Sequence, residues 1–359
     1  MNLFKFKKMR EIDSLGIDTK FLDTVIKPKL LIDKFSLSDK GIDNIVNSRK
    51  IIKSILIGKD KRLLIIVGPC SIHDVRSTME YAKILSKLIF KYRNYFKIVM
   101  RTYFEKPRTL FGWNGLISDP EINGSFKINK GLEIARDLLV KINNLEIPTA
   151  TEFLDIVVYQ YIADLMSWGS IGARTVESQI HRKMASAFPF PIGFKNKTNG
   201  DIKAAINAIR AAKKSQVFLS QNKNGKIVLY QTNGNKYGHI VMRGGKKPNY
   251  RSKDISNVCK ELKKFSLPRK IIVDCSHDNC EKTYQKQIKV AKNVAEQLKN
   301  GSNYIAGIML ESFLLEGNQK ITQKHLIKYG QSITDPCIGI EETKNILEIL
   351  AESIKFRFL

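Results

Sequence analysis

The chain has 359 residues, 43% of them hydrophobic, enough to bury the core of one large domain or two ordinary ones. Its formal charge of +27 raises nucleic-acid binding, but Lys and Arg are spread along the whole length, and a general preference for Lys, Asn and Ile accounts for the excess. No run of about 18 uncharged apolar residues occurs, so no membrane-spanning helix is predicted, and the sparse Cys70, Cys259, Cys275, Cys280 and Cys337 suit a reducing compartment better than a disulfide scaffold.

The basic opening MNLFKFKKMREIDSLG lacks the apolar run and cleavage site of a secretory leader, which favours a cytoplasmic chain without membrane or nucleic-acid partners. Residues 1–60 read as a partly helical N-terminal arm. Leu30, Leu31, Ile42, Ile45, Ile52, Ile55 and Leu56 form short apolar helical faces that need the main domain or a second copy to cover them.

From 61 to 359 a rhythm sets in. Strand-length apolar runs begin at Arg62, Phe96, Pro148, Ser170, Pro191, Gln216, Lys270 and Tyr304. Helical periodicity falls at about 76–91, 129–143, 155–167, 177–187, 201–214, 254–264, 282–299 and 341–355. Several runs are apolar throughout, as parallel strands covered on both faces are. The predicted fold is an α/β (β/α)8 TIM barrel, with a doubly wound sheet as the competing arrangement. One irregularity falls near the sixth strand, at about 215–238. KIVLYQTNGN and its preceding NKNG turn read as a β-hairpin insertion, and either QVFLS or GHIVMR carries the barrel register.

Active sites of such barrels lie at the C-terminal strand ends. The runs end at or just before Cys70, Arg101, Glu152, Arg174, Lys195, Arg243, His277 and Glu311, while Lys106, Arg108 and Thr109 follow the second strand and Asp335 precedes the last helix. Cys70, His277, Glu311 and Asp335 mix soft, intermediate and hard donors, a set suited to one divalent transition metal: manganese, iron, cobalt or zinc. Arg101, Lys106, Arg108, Arg174, Lys195 and Arg243 would repel one another in a barrel mouth unless anionic ligands sat among them. Neither GxGxxG nor GxxxxGK[ST] is present, so this is no nucleotide loop. Lys195 at a strand end also permits a Schiff-base aldolase.

GPCSIHD, RTYFEKPRT, TEFLD, LMSWGSIGART, ESQIHR, GFKN, VMRGGKKPNY, DCSHDN, MLESFLLEGNQ and SITDPCIG occur in order from about residue 62 to 340. On these segments the chain resembles the microbial, feedback-regulated (type I) class of 3-deoxy-D-arabino-heptulosonate-7-phosphate (DAHP) synthases. The resemblance implies condensation of phosphoenolpyruvate with erythrose 4-phosphate and water, releasing phosphate, the first step of the shikimate pathway. It implies metal ligation by Cys70, His277, Glu311 and Asp335. It places phosphoenolpyruvate on Arg101, Lys106, Arg174, Lys195 and Arg243, the aldehyde substrate on Arg108 and Thr109, and Glu152 beside the substrate phosphate.

The same resemblance implies a homodimer or homotetramer with the arm crossing an interface, and an aromatic amino acid effector near Asp155, Gln160, Phe218 and Ser220. Tyr159, Phe188, Pro189 and Tyr230 are bulkier or differently shaped than their counterparts in the phenylalanine-sensitive form, which puts control by phenylalanine in question. In the expected mechanism Lys106, its pKa depressed by Arg101 and Arg108, protonates the aldehyde oxygen. Glu152, alone or through Lys195, orients the water. Loss of His277 or Glu311 is expected to abolish activity and spare the fold.

Overall fold

The computed structural model describes residue 19 and residues 21–108, 110, 112–321 and 326–358. Thr109 and the first 18 residues of the arm lie outside these. Eight parallel strands close into a barrel: β1 (Leu63–Gly68), β2 (Phe96–Arg101), β3 (Thr149–Glu152), β4 (Trp168–Ile171), β5 (Ile192–Lys195), β8 (Gly238–Met242), β9 (Ile271–Asp274) and β10 (Ile305–Glu311). Between the fifth and sixth barrel strands, β6 (Val217–Gln221) and β7 (Ile227–Gln231) form a separate antiparallel hairpin.

Burial decides the register that the sequence left open. Every residue of GHIVM is buried, whereas QVFLS alternates, with Val217 and Leu219 exposed and Phe218 and Ser220 half-buried. GHIVM is therefore the barrel strand, pairing with β5 and β9, and QVFLS belongs to the hairpin. The NKNG segment makes the hairpin turn, where Asn222 N donates to Lys226 O and Gly225 adopts φ 81°.

The helices outside the barrel are α3 (Val75–Tyr92), α4 (Ile128–Asn144), α5 (Tyr159–Ile162), α6 (Gln179–Ala187), α7 (Lys203–Ala212), α8 (Ser252–Lys264), α9 (Lys286–Lys299) and α10 (Ile340–Ile354), preceded by α1 (Pro28–Lys34) and α2 (Asp39–Leu56). The predicted helix at 155–167 shrinks to α5 and one 3-10 turn at Ala163–Leu165. Asp155 Oδ1 accepts from Val157 N and Val158 N, so an Asx turn takes up the first residues of that segment.

Helix α2 closes the barrel's N-terminal end. Ile52, Ile55 and Leu56 join the inward-facing Leu64, Ile66, Val99, Trp168, Ile272 and Met309 in one apolar cluster. Ser38 caps this helix, its hydroxyl accepting from Gly41 N at 3.2 Å. Arg49 anchors the helix to the barrel through the carbonyls of Ala163, Asp164 and Met166. With the base plugged by apolar side chains, the polar strand ends are left at the opposite rim.

Candidate active site

Parallel strands ending at one rim bring distant polar residues together, because each apolar run stops where its last inward side chain meets the mouth. Arg101 ends β2 with no exposed surface; its Nη2 donates to Glu311 Oε1, at the end of β10, at 3.1 Å, and its Nε to Pro69 O. The guanidinium carbon lies 3.9 Å from the Tyr103 ring centroid, while Nη1 has no hydrogen-bond partner among the described residues. Gly68 permits this approach, since a Cβ there would lie 2.9 Å from Arg101 O.

Cys70 follows β1, fully buried. Its Sγ lies 3.6 Å from Asp335 Oδ2 and accepts from Lys106 Nζ at 3.0 Å. Donor atoms of Cys70, Glu311 and Asp335 all lie within 4.8 Å of one another. His277 Nε2 is 3.9 Å from Glu311 Oε1, on the same side of the mouth. Burial, and then Glu311, push the Cys70 thiol up to about 12. A soft sulfur, an imidazole and two carboxylates gathered this closely fit a divalent transition cation, which would relieve their mutual repulsion and favour the thiolate.

A second network joins three further strand ends. Lys195 Nζ donates to Glu152 Oε2 at 3.0 Å and lies 4.0 Å from Asp274 Oδ2. Gly172 leaves room for the Glu152 carboxylate, as a Cβ there would fall 2.1 Å from Oε1. Burial disfavours the charge on Glu152, but Lys195 outweighs it and holds the carboxyl below its usual range. For Lys195 burial again opposes charge, and Glu152 more than offsets it, raising the ammonium.

A cleft opens above these networks. Lys106, Arg108, Arg174 and Arg243 line it, as do Glu152, Lys195, His277, Glu311 and Asp335, whereas Cys70 and Arg101 sit directly behind Lys106 and Glu311. Arg243 Nη1 pairs with Asp278 Oδ2 at 2.7 Å, and Arg108 Nε donates to Trp113 O at 2.9 Å. The predicted residues thus converge, with Thr109 outside the described set. One electrostatic expectation is overturned. Burial lowers the Lys106 pKa, but Cys70, Asp335 and Glu311 outweigh it, so the ammonium is raised, not depressed. Its nearest charges are the anionic donor set rather than Arg101 and Arg108.

Three lining or supporting residues escaped the sequence reading. Lys282 lines the cleft with φ 59°. Glu105 also lines it; burial, and then Asp155, raise its carboxyl to about 8, so it is mostly neutral at pH 7 and adds little negative charge to the cleft. Asp274 is the third, and its signal was visible as the charged end of KIIVD. Fully buried, it places Oδ2 2.9 Å from His277 Nδ1 and thereby turns Nε2 toward Glu311. Asp274→Asn is expected to weaken metal affinity about 10–100-fold, read by competition with a chromophoric chelator; unchanged affinity would remove Asp274 from this role.

Of the effector residues named from the sequence, Gln160 lies on α5 and Phe218 and Ser220 on the hairpin, whereas Asp155 precedes α5 and neighbours the cleft-lining Glu105. Tyr159 Oη is 2.7 Å from Ser220 Oγ and accepts from Gln160 Nε2 at 2.8 Å. Phe188 packs edge-on against Tyr159, with centroids 5.7 Å apart, and Phe218 lies 6.3 Å from Tyr230.

The profile of the DAHP synthetase I family matches residues 36–348. The tryptophan-sensitive phospho-2-dehydro-3-deoxyheptonate aldolase of Escherichia coli K12 is 54% identical over 340 residues, covering 95% of this chain and 98% of that protein. Its namesake from Buchnera aphidicola is 50% identical over 350 residues, covering 98% and 100%. Among solved structures, phospho-2-dehydro-3-deoxyheptonate aldolase from Francisella tularensis SCHU S4 superposes with a TM-score of 0.92 at 44% identity, covering 95% of this chain and 99% of that one.

Proposed function

The chain belongs to the DAHP synthetase I family, and from that premise we propose how its cleft divides the labour of the family reaction. That reaction condenses phosphoenolpyruvate with erythrose 4-phosphate and water to give 3-deoxy-D-arabino-heptulosonate 7-phosphate and phosphate, the first shikimate step. The family is metal-dependent. Cys70, His277, Glu311 and Asp335 are the proposed ligands, manganese, iron, cobalt and zinc all being compatible with this donor set. When bound, the cation supplies polarisation of the aldehyde oxygen and stabilises negative charge there.

The protein's own groups do the rest. Arg101, Lys106, Arg174, Lys195 and Arg243 bind phosphoenolpyruvate through its carboxylate and phosphate, and Arg174 and Arg243 hold the phosphate as it departs. Arg108, with Thr109, binds the aldehyde's phosphate. Lys106 stays an ammonium and donates toward the developing alkoxide; cation binding offsets the anionic charge that raises its pKa and makes it a better acid. Glu152, ionised and held by Lys195, orients the water that adds at C2. The convergence of six cations, Lys106, Arg108, Arg174, Lys195, Arg243 and Lys282, on one cleft beside the Cys70–Glu311–Asp335 cluster carries this assignment. A Schiff base at Lys195 is disfavoured, since a nucleophilic amine must be neutral and this one is a paired ammonium.

The test is phosphate release from the two substrates by stripped enzyme and after add-back of single ions. Activity undiminished by exhaustive chelation would refute the ligand assignment. In the loaded enzyme, Arg108→Ala is expected to raise KM for the aldehyde about 10–100-fold, a loss of about 1.5–3 kcal/mol for a charge-assisted contact. An equal rise for both substrates would move Arg108 elsewhere.

The relatives are tryptophan-sensitive, and we assign an aromatic amino acid site to Asp155, Gln160, Phe218 and Ser220, with tryptophan as its ligand. The bridge from Tyr159 to Ser220 and the ring of Phe188 shape the wall against which the effector's ring would pack. Equilibrium dialysis is expected to show tryptophan bound in preference to phenylalanine and tyrosine; tighter phenylalanine binding overturns the assignment.

The described arm residues up to 60 and the outer hairpin face, where Leu219, Ile227 and Leu229 are about 70% exposed, support a homodimer or homotetramer. Sedimentation equilibrium showing a monomer would refute that reading. Five free cysteines and no helix long and apolar enough to cross a membrane, among the described residues, support a cytoplasmic enzyme.

A further inference from the structure

The barrel's other end holds a second concentration of positive charge that the reaction does not use. Side chains alternate along a strand, so Arg62, Lys97 and Lys270, each two residues before Leu64, Val99 or Ile272 of the inner core, fall on the inward face at the base. A cavity opens there, lined by Lys61, Arg62, Lys270 and Arg357, with Asp60 its single carboxylate among the described residues and Phe356 an apolar wall. Four lining cations against one carboxylate leave an excess of three positive charges.

That carboxylate is already committed, Asp60 Oδ2 lying 2.6 Å from Arg62 Nη2. Lys270 Nζ donates to Asn303 O at 2.5 Å and Arg357 Nη2 to Ser302 O at 2.7 Å, which leaves further donors on each group. The last-turn carbonyls of α2 would otherwise counter these cations, but Lys53, Ser54 and Ile55 give theirs to the N–H groups of Ile57, Lys59, Asp60 and Gly58. Burial, then Arg62, push the Lys97 ammonium down to about 8, and burial, then Arg357, lower that of Lys270. The strongest charged neighbour of each is thus a guanidinium. Cations crowded in this way are stabilised by a bound anion.

We propose that this basal cavity is an anion site for a phosphate-class dianion, either free inorganic phosphate or the phosphate of a phosphomonoester. The Arg357 guanidinium and the Lys270 ammonium offer the charge-assisted donors that tetrahedral phosphate oxygens accept, Arg62 keeps its fork on Asp60, and the apolar plug of α2 separates the site from the catalytic mouth.

The experiment is calorimetric titration of full-length, metal-loaded Arg108→Ala enzyme, which lacks the cleft's aldehyde-phosphate subsite, with inorganic phosphate while saturating phosphoenolpyruvate occupies the rest of the cleft, chloride keeping ionic strength constant. One equivalent per chain is expected to bind still. Lys270→Ala combined with Arg357→Ala is expected to weaken it by about tenfold or more, as loss of charged hydrogen bonds does, without changing kcat. A parallel titration with glycerol phosphate separates the sources: tighter binding assigns the site to a phosphomonoester, weaker binding to the free ion. If the double variant does not fold, Arg357→Gln alone carries the same expectation. No saturable binding of either compound beside phosphoenolpyruvate, or binding undiminished in a folded, active variant, overturns the proposal.

Discussion

Replacing Glu311 by Ala is expected to cost both catalysis and folding stability, whereas His277→Ala costs catalysis alone. Glu311 serves two masters at the end of β10: it faces the proposed metal donors and neutralises the fully buried Arg101 at 3.1 Å. Without it, Arg101 keeps only a carbonyl, the Tyr103 ring and an already unpartnered Nη1. Breaking one side of a buried pair destabilises by about 3–5 kcal/mol. His277 is partly exposed and held by Asp274 and Ser276 at the rim, so its truncation is expected to change stability by less than about 1 kcal/mol. Both variants should lower kcat by on the order of 10³, the scale of losing a central electrostatic group. Urea unfolding of chelator-stripped proteins reads the difference without linkage to metal. Equal stability of the two variants would mean that Arg101 finds another partner, and it would restore the sequence-based expectation that both losses spare the fold.

Lys195→Met should produce the second large effect, a destabilisation of about 3 kcal/mol or more with loss of activity. It strands Glu152 and deprives Asp274 of a cation 4.0 Å away. Adding Glu152→Gln removes the stranded charge, so the double variant should recover part of the stability and none of the turnover. Additive losses in this cycle would show the two residues uncoupled.

The pH dependence follows from the same shifts. The folded-state pKa of Glu152 is lowered, so its contribution is present above its unfolded value of about 4.3 and is lost as pH falls through the folded value. Lys195 is raised, so its contribution is present below about 10.4 and is lost as pH rises through the folded value. Urea midpoints of the wild type should therefore fall at both extremes, with both slopes diminished in the double variant.

Local pattern was enough for the barrel and for most of its mouth. GPCS, TEF, GFK, KIIVD and IMLE each show an apolar run giving way to a polar residue, and strand polarity then dictates that these residues meet at one rim. The hairpin was harder, because QVFLS and GHIVM are both short apolar runs; only the exposure of Val217 and Leu219 tells them apart. The segment after Glu152 was harder still. Its helical periodicity was real, but the Asp155 turn and the return to β4 cut the helix to a single turn.

By itself the sequence determined which residues stand at the strand ends and which chemical groups share the mouth, since alternation and chain direction are local properties. Only the tertiary structure decided who neutralises whom: Lys106 facing Cys70, Glu311 and Asp335, Arg101 bound to Glu311, Asp274 behind His277, and cations crowded at the base. Those pairings depend on distances of a few ångströms between strands far apart in the chain, where burial strengthens each charge interaction and makes every unpaired charge costly.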